Sequence, residues 1–362
     1  MKAALVILTA QALKPALRII ESWPEEEKPE LWLPERLLTQ SMNSLPVSSR
    51  RLCKTKYFKH FRDIMPEVWI KNSLLIFIMA TGIVVRHIAP FLRNKDRDPA
   101  VVVLDEKGEF VISLLSGHLG GANSWARVIA QILEAKPVIT TATDVEGLIA
   151  PDEYARRFNW GVDPVAGLRQ VNRFLLEEGY LQVWTDYLPE DHPLREDKCY
   201  RFLKDEDKEK AHIWITPYAT PAPKEQKPLL LIPRIYAIGV GCRKGVGKEQ
   251  ICEAIHQSLQ QLGLSLKSII GIFSIDIKAR ENGIIEAAQT LGLNFKTFSA
   301  QQIQEMNEER KLLPSKYVKE KIGVDGVCEA ASLLGTRKGE LVLPKQIYKG
   351  ITVAISKEKS ML

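Results

Sequence analysis

Short apolar runs alternating with helical stretches constrain this chain more than any other feature. Leu5–Thr9, Leu31–Leu33, Leu74–Ala80, Val101–Asp105, Phe110–Leu115 and Val138–Thr143 read as strands. Several are continuously apolar, as expected of strands covered on both faces. Between them, residues 11–20, 56–65, 83–92 and 123–134 read as helices. Asp105-Glu106-Lys107-Gly108 predicts a hairpin turn. The expectation is a layered α/β domain over residues 1–145.

At about 150 residues per domain, the 362-residue length predicts two or three domains. The charge run at 204–210 reads as a solvated turn, and the proline-rich stretch 217–228 as a linker. A small middle α/β region with this linker is expected over 146–229, carrying strands Leu181–Tyr187 and Ala211–Thr216 and a helix at 164–178. A C-terminal α/β/α domain is expected over 230–362, with strands near 235–240, 268–274, 295–298 and 351–355. Within it, Gln261-Leu262-Gly263-Leu264 echoes Thr290-Leu291-Gly292-Leu293. Each predicts a helix stopped by glycine, which tolerates the left-handed cap, followed by a strand.

Several classes are excluded. The apolar run Leu74 to Val85 is interrupted at Thr81 and Gly82 and falls short of a membrane span. Lys2, the apolar stretch to Ala10 and Ala10-Gln11-Ala12 imitate a secretory leader. Leu5–Thr9 suits a buried strand better, so a cytoplasmic protein is expected. The five cysteines are scattered without a C-x-x-C pair, which fits reduced thiols and excludes a Cys-built zinc site. No metal site is expected. Residues 1–233 carry equal numbers of basic and acidic side chains, so the whole net charge of +6 lies in 234–362. That excess suits either an anionic partner or a merely soluble basic surface. The basic run Arg50, Arg51, Lys54, Lys56, Lys59 and Arg62 lacks interleaved aromatics and reads as a solvated helix or loop, not a nucleic-acid arm.

If the strands are parallel, three loops of the first domain share one sheet edge, where α/β folds bind ligands. The first holds Thr81 and Gly82 and opens a helix carrying Arg86. The second is Ser116-Gly117-His118-Leu119-Gly120-Gly121-Ala122-Asn123, with Asn123 or Ser124 capping the next helix. Its glycines let backbone N–H groups approach a ligand, and His118 titrates near neutral pH. The third holds Thr141 and Asp144. His118, Ser116 and Asp144 are the catalytic candidates. Thr81, Gly82, Arg86, Gly120, Gly121, Asn123 and Thr141 are binding candidates.

The C-terminal domain opens on Gly239-Val240-Gly241-Cys242-Arg243-Lys244-Gly245-Val246-Gly247-Lys248. The Rossmann pattern needs glycine at 244, and the P-loop needs glycine at 242 and a hydroxyl at 249, so nucleotides fit poorly. A strand, a basic glycine-rich loop and a helix still make an anion cradle. Gly241, Cys242, Arg243, Lys244 and, from the next strand end, Ser274 are its binding candidates. Arg243 and the helix start could lower the Cys242 pKa, or Cys242 fills a small buried turn position.

Taken in order, Ala80-Thr81-Gly82-Ile83-Val84-Val85-Arg86, Ser113-Leu114-Leu115-Ser116-Gly117-His118-Leu119-Gly120-Gly121-Ala122-Asn123, Val138-Ile139-Thr140-Thr141-Ala142-Thr143-Asp144, Gly239-Val240-Gly241-Cys242-Arg243 and Val327-Cys328-Glu329-Ala330-Ala331 resemble the cobalt-precorrin-5A hydrolase family of anaerobic cobalamin biosynthesis. The resemblance runs with gaps from about residue 5 to 356. It implies a hydrolase that opens the δ-lactone of cobalt-precorrin-5A and releases acetaldehyde, giving cobalt-precorrin-5B. It implies an anionic cobalt-corrinoid substrate, no cofactor beyond the cobalt that substrate carries, and other enzymes of the pathway as partners. The chemistry fits His118 as acid/base, Gly120 and Gly121 N–H groups on the lactone carbonyl, and Arg86, Arg243 and Lys244 as carboxylate anchors. The alternative is a corrinoid-binding delivery protein without turnover.

Overall fold

The computed structural model describes residues 2–38, 53–94, 97–219, 228–314, 319–320 and 322–359. Arg50 and Arg51 of the basic run, and residues 220–227 of the expected linker, lie outside them. By contacts the chain forms two compact units, Met1–Arg157 with Leu168–Tyr180, and Phe158–Gly167 with Leu181–Leu362.

The first unit is built on a seven-stranded sheet. Its strands are β1 (Ala3–Ile7), β2 (Glu30–Pro34), β3 (Thr55–Phe58), β4 (Leu74–Ile78), β5 (Ala100–Leu104), β6 (Phe110–Leu115) and β7 (Lys136–Val138), in the order β3-β2-β1-β4-β5-β6-β7. β1 to β5 are mutually parallel. β6 runs antiparallel to β5, and β7 parallel to β6. The continuous apolar runs follow from two cores. Leu5, Ile7, Ile76 and Val102 face one core with the helices Leu13–Glu21 and Ala122–Leu133. Val6, Phe77 and Val103 face the other, with Phe61–Lys71 and Thr81–Ile88. Alternate side chains point to opposite faces, so a strand between two helix layers must be apolar at every position.

Two sequence expectations shift. Residues 56–65 were expected to be helical, but Thr55–Phe58 is a strand and the helix starts at Phe61. Lys56 is fixed there by Glu30 and Glu67 and lies 4.5 Å from the Trp32 ring, contacts that depend on pairing with β2. Val138–Thr143 was expected to be one strand, but β7 ends at Val138 and Ala142–Val145 forms a helical turn. Thr141 and Thr143 hydrogen-bond to side chains of another loop, which outweighs their strand preference.

The second unit carries two sheets. The smaller has β8 (Gly161–Asp163), β9 (Leu181–Thr185), β10 (Tyr200–Phe202), β11 (Ile213–Ile215) and β12 (Leu229–Ile232), ordered β10-β9-β11-β12-β8. The charge run is not a free turn. It forms a 3-10 helix, Asp205–Lys210, whose Asp205 accepts from the Trp184 indole at 2.8 Å. Lys208 Nζ lies 3.6 Å from the Trp184 ring and 4.2 Å from the Trp214 ring.

The larger sheet has β13 (Tyr236–Cys242), β14 (Ile269–Ile275), β15 (Phe295–Phe298), β16 (Glu340–Tyr348) and β17 (Ile351–Lys357), ordered β15-β14-β13-β17-β16. The helices Lys248–Gln261 and Asn282–Leu291 join its parallel strands and pack on one face, while Ala300–Glu309 and Cys328–Leu334 cover the other, giving α/β/α layering. Gly263 and Gly292 both take φ +65, as the sequence echo requires. β16 was not expected because Pro344 interrupts it. It is an edge strand with register shifts on either side of Leu343, where a missing N–H is tolerated.

Candidate active site

The loop after β6 is shaped by contacts that forbid side chains. A β-carbon on Gly120 would fall 2.7 Å from the Ser116 carbonyl oxygen, and one on Gly117 would fall 2.7 Å from Asn123 Oδ1. Gly121 adopts φ +85 and is the N-cap of Ala122–Leu133. Neither Asn123 nor Ser124 caps that helix, correcting the expectation. Ser116 itself takes φ +57, a strained conformation for a residue with a β-carbon. Its hydroxyl donates to the Asp98 carbonyl at 3.0 Å, which makes it a loop anchor and not an activated nucleophile.

This loop presents His118 between two carboxylates. Nδ1 lies 3.3 Å from Asp152 Oδ2, and Nε2 lies 3.0 Å from Asp144 Oδ2. Thr143 Oγ1 is 3.3 Å from Nε2. The side chains are nearly buried, with exposures of 11% for His118, 16% for Asp144 and 4% for Asp152. Burial disfavours the imidazolium, but hydrogen bonds and charge from Asp152, then Asp144, outweigh it and push the pKa up to about 8. Burial also works against both carboxylates. Arg127 and His118 at Asp144, and His118 and Asn172 at Asp152, nonetheless hold both below their ordinary range. The resting site at neutral pH is therefore a doubly hydrogen-bonded imidazolium.

The carboxylates are held in turn. Asn123, 2% exposed, accepts from Ser113 at 2.6 Å and donates to Thr141 Oγ1 at 3.1 Å and Asp144 Oδ2 at 2.8 Å. It is a positioning residue with its polar atoms engaged, as is Thr141. Arg127 grips the other Asp144 oxygen. Asn172 donates to Asp152 Oδ1 at 3.2 Å, and its own Oδ1 is buried without a hydrogen-bond partner among the described residues. A cavity of about 300 Å³ opens beside His118, lined by Ser116, Leu119, Thr141, Thr143, Asp152 and Asn172, among others. The Gly121 N–H donates to the His118 carbonyl at 2.9 Å, so that amide is already spent.

Stability should follow the His118 charge. A folded pKa of about 8 against an ordinary 6.5 contributes about 2 kcal/mol, fully present below pH ~6.5 and lost as pH rises through about 8. Urea unfolding should show that loss between pH ~6 and ~9, and His118→Gln should abolish it. A wild-type slope unchanged in the variant would show that the imidazolium does not form.

Sequence reasoning missed Asp152, Asn172, Arg127 and Thr143. Asp152 opens the helix Pro151–Arg157, where an acidic residue ordinarily signals only a helix start. The sequence also placed three loops at one edge, and the structure does not. The Asp105–Gly108 hairpin reverses β6, so the His118 and Asp144 loops lie at the rim opposite Thr81, Gly82 and Arg86. Arg86 is exposed there, with Nη1 3.5 Å from the Gly82 carbonyl.

Residues 63–144 match the family described as cobalamin synthesis G N-terminal, 149–233 the cobalamin biosynthesis central region, and 236–356 the cobalamin synthesis G C-terminus. A protein of Priestia megaterium named cobalt-precorrin-5A hydrolase is 33% identical over 309 residues, covering 82% of this chain and 81% of its own. The chain belongs to the cobalt-precorrin-5A hydrolase family. The Salmonella typhimurium protein of the same name is 32% identical over 82% of this chain and 85% of its own. Protein CobE of Sinorhizobium matches over 120 residues at 27% identity, a third of this chain and 77% of its own.

In this family member the glycine-rich C-terminal loop already holds a carboxylate. Gly245 N–H donates to Glu281 Oε1 at 2.9 Å, and Lys278 contacts Glu281 Oε2 at 2.8 Å. Lys278 and the Gly245 amide keep the Glu281 carboxyl below its usual range. Arg243 and Lys244 are exposed, and the charge of Lys244 also helps to hold the Glu281 carboxyl down. Gly241 leaves room for Thr352 Oγ1, 2.7 Å from where a β-carbon would stand. Cys242 departs from the reactive option: burial pushes its thiol pKa up. Ser274 is fully buried and donates to the Val240 carbonyl at 2.7 Å, so it ties β14 to β13 instead of facing a ligand.

Proposed function

We propose that this protein opens the δ-lactone of cobalt-precorrin-5A and releases acetaldehyde, with His118 acting first as acid and then as base. The observation that carries the reading is the His118 ring held between Asp144 and Asp152 beside an open cavity. Asp152 holds Nδ1, and Nε2 is the working nitrogen once the substrate oxygen takes the place of its Asp144 contact. Water adds to the lactone carbonyl carbon and yields one proton to solvent. The Gly120 N–H steadies the developing oxyanion, and the buried Asn172 Oδ1 is a second acceptor for the attacking water. The lactone C–O bond breaks, and Nε2 gives its proton to the departing alkoxide. The neutral imidazole then takes the proton of that hydroxyl. The carbon–carbon bond breaks, its electron pair enters the conjugated macrocycle, acetaldehyde leaves, and His118 is again an imidazolium.

Arg243 and Lys244 are proposed as anchors for the substrate's carboxylates. No resident cofactor enters this reading, because cobalt arrives with the substrate. All five cysteines are free thiols, which supports a reducing, cytoplasmic setting. No helix among the described residues is long and apolar enough to cross a membrane.

Purified protein incubated with cobalt-precorrin-5A should release acetaldehyde and cobalt-precorrin-5B in equal amounts. Binding without either product would replace the hydrolase by a corrinoid carrier.

A further inference from the structure

The parallel part of the first sheet runs β3-β2-β1-β4-β5, so successive connections leave β1 in opposite directions. Such a reversal opens a crevice at the carboxyl ends of the two central strands, where open α/β sheets take ligands. A cavity of about 830 Å³ occupies this rim, lined in part by Leu8 after β1, Arg36 after β2, Lys59, Phe61 and Arg62 after β3, and His87 on the helix after β4. It is the rim opposite the His118 loop, and the proposed reaction does not use it.

The chemistry of the lining is that of an acid-binding site with an apolar floor. Phe58 and Phe61 are buried there. Arg36 Nη2 donates to the Leu8 carbonyl at 2.9 Å, which pins its guanidinium across the ends of β1 and β2. Lys59 and Arg62 are exposed and carry no ion pair among the described residues, although Glu35 and Asp63 line the same cavity. His87 is fixed through Nδ1 to the Ile83 carbonyl at 2.8 Å and packs 4.6 Å from the Phe61 ring, which leaves Nε2 as its second polar atom. The loop after β1, Thr9-Ala10-Gln11-Ala12, has no glycine, so a diphosphate cannot approach its backbone as in dinucleotide sites.

We propose that this cavity is a second ligand site, taking a flat, apolar molecule that bears several carboxylates. Its volume lies in the upper part of the about 300–1,000 Å³ range of small-molecule sites. The substrate and product of the proposed reaction belong to this class, and only in that respect does the inference rest on the proposed function. Arg36, Lys59 and Arg62 bind the carboxylates, and the apolar face lies over a floor to which the edges of Phe58 and Phe61 contribute.

The test uses the full chain and uroporphyrin I, an octacarboxylate macrocycle, titrated by fluorescence. The wild type should bind it, more weakly at about 0.5 M salt because the contacts are ionic. Lys59→Gln/Arg62→Gln should weaken binding by about tenfold or more, and Arg36→Gln in the same direction. His118→Gln should retain binding. A double variant that binds as the wild type does, or an uncharged octaamide that binds as tightly as the acid, would overturn the site. Uroporphyrin binding that is lost in the double variant, in a protein that releases no acetaldehyde from cobalt-precorrin-5A, would uphold this inference while the proposed function fell. Acetaldehyde release with no effect of the double variant on binding would do the reverse.

Discussion

His118→Ala is expected to reduce acetaldehyde release by about 10²–10⁴-fold, the usual yield of a positioned acid–base group. One residue performs both proton transfers in the proposed sequence, so no other group restores the second step. The variant also leaves the buried Asp152 carboxylate without its cation, while Asp144 keeps Arg127. Breaking a buried pair in this way costs about 3–5 kcal/mol. His118→Gln, which keeps one donor, should separate the two effects. It should fold with a smaller loss of stability and still release acetaldehyde about a hundredfold or more slowly. Asp152→Asn should lower kcat by misorienting the ring, with little change in KM. A folded His118→Gln protein that works at the wild-type rate would remove His118 from the chemistry.

Gly239→Ala is expected to be the most damaging methyl group that could be added to the C-terminal sheet. A β-carbon there would overlap the Cys328 carbonyl oxygen and come within 2.8 Å of the Ser332 amide nitrogen. Both are backbone atoms of the helix Cys328–Leu334, so no side-chain rotation relieves the clash. The helix must lift from β13, exposing Ala330 and Ala331, which are fully buried. Overpacking of this kind costs about 3 kcal/mol or more. Gly263→Ala is the internal comparison. Gly263 has φ +65 but nothing within 4 Å of its β-carbon position, so only backbone strain of about 1–2 kcal/mol applies. Urea midpoints should fall far more for Gly239→Ala than for Gly263→Ala. Equal losses would mean that the helix–strand contact is looser than described.

Much of this architecture is legible in the sequence because apolar period and glycine placement are local signals. The runs at Leu74 and Val101 must be doubly covered strands, and the glycines at 263 and 292 must end helices. The His118 loop stands out for the same reason: glycines that pack against Ser116 and Asn123 leave a local signature. Its partners do not. Asp152 reaches His118 across 34 positions of chain and Asn172 reaches Asp152 across 20, and nothing near either residue marks a contact made that far away. β3 and β16 were missed because their strand character comes from their neighbours: from the Glu30 and Trp32 contacts of Lys56 in one case, and from an edge position that tolerates proline in the other. Ser116, Ser274 and Cys242 are polar or nucleophilic residues in the right strings, but their roles turn on where each hydroxyl or thiol is spent.

The short turn at Asp105–Gly108 does more than join two strands. By flipping the last third of the sheet, it gives one layered body two independent rims, built from loops that share no residues. Loop insertions at one rim leave the register of the other untouched. Relatives of this chain are therefore free to change what the Arg36 rim holds while the His118 rim stays fixed, and comparing how the two rims vary across them would show which one selection guards for chemistry.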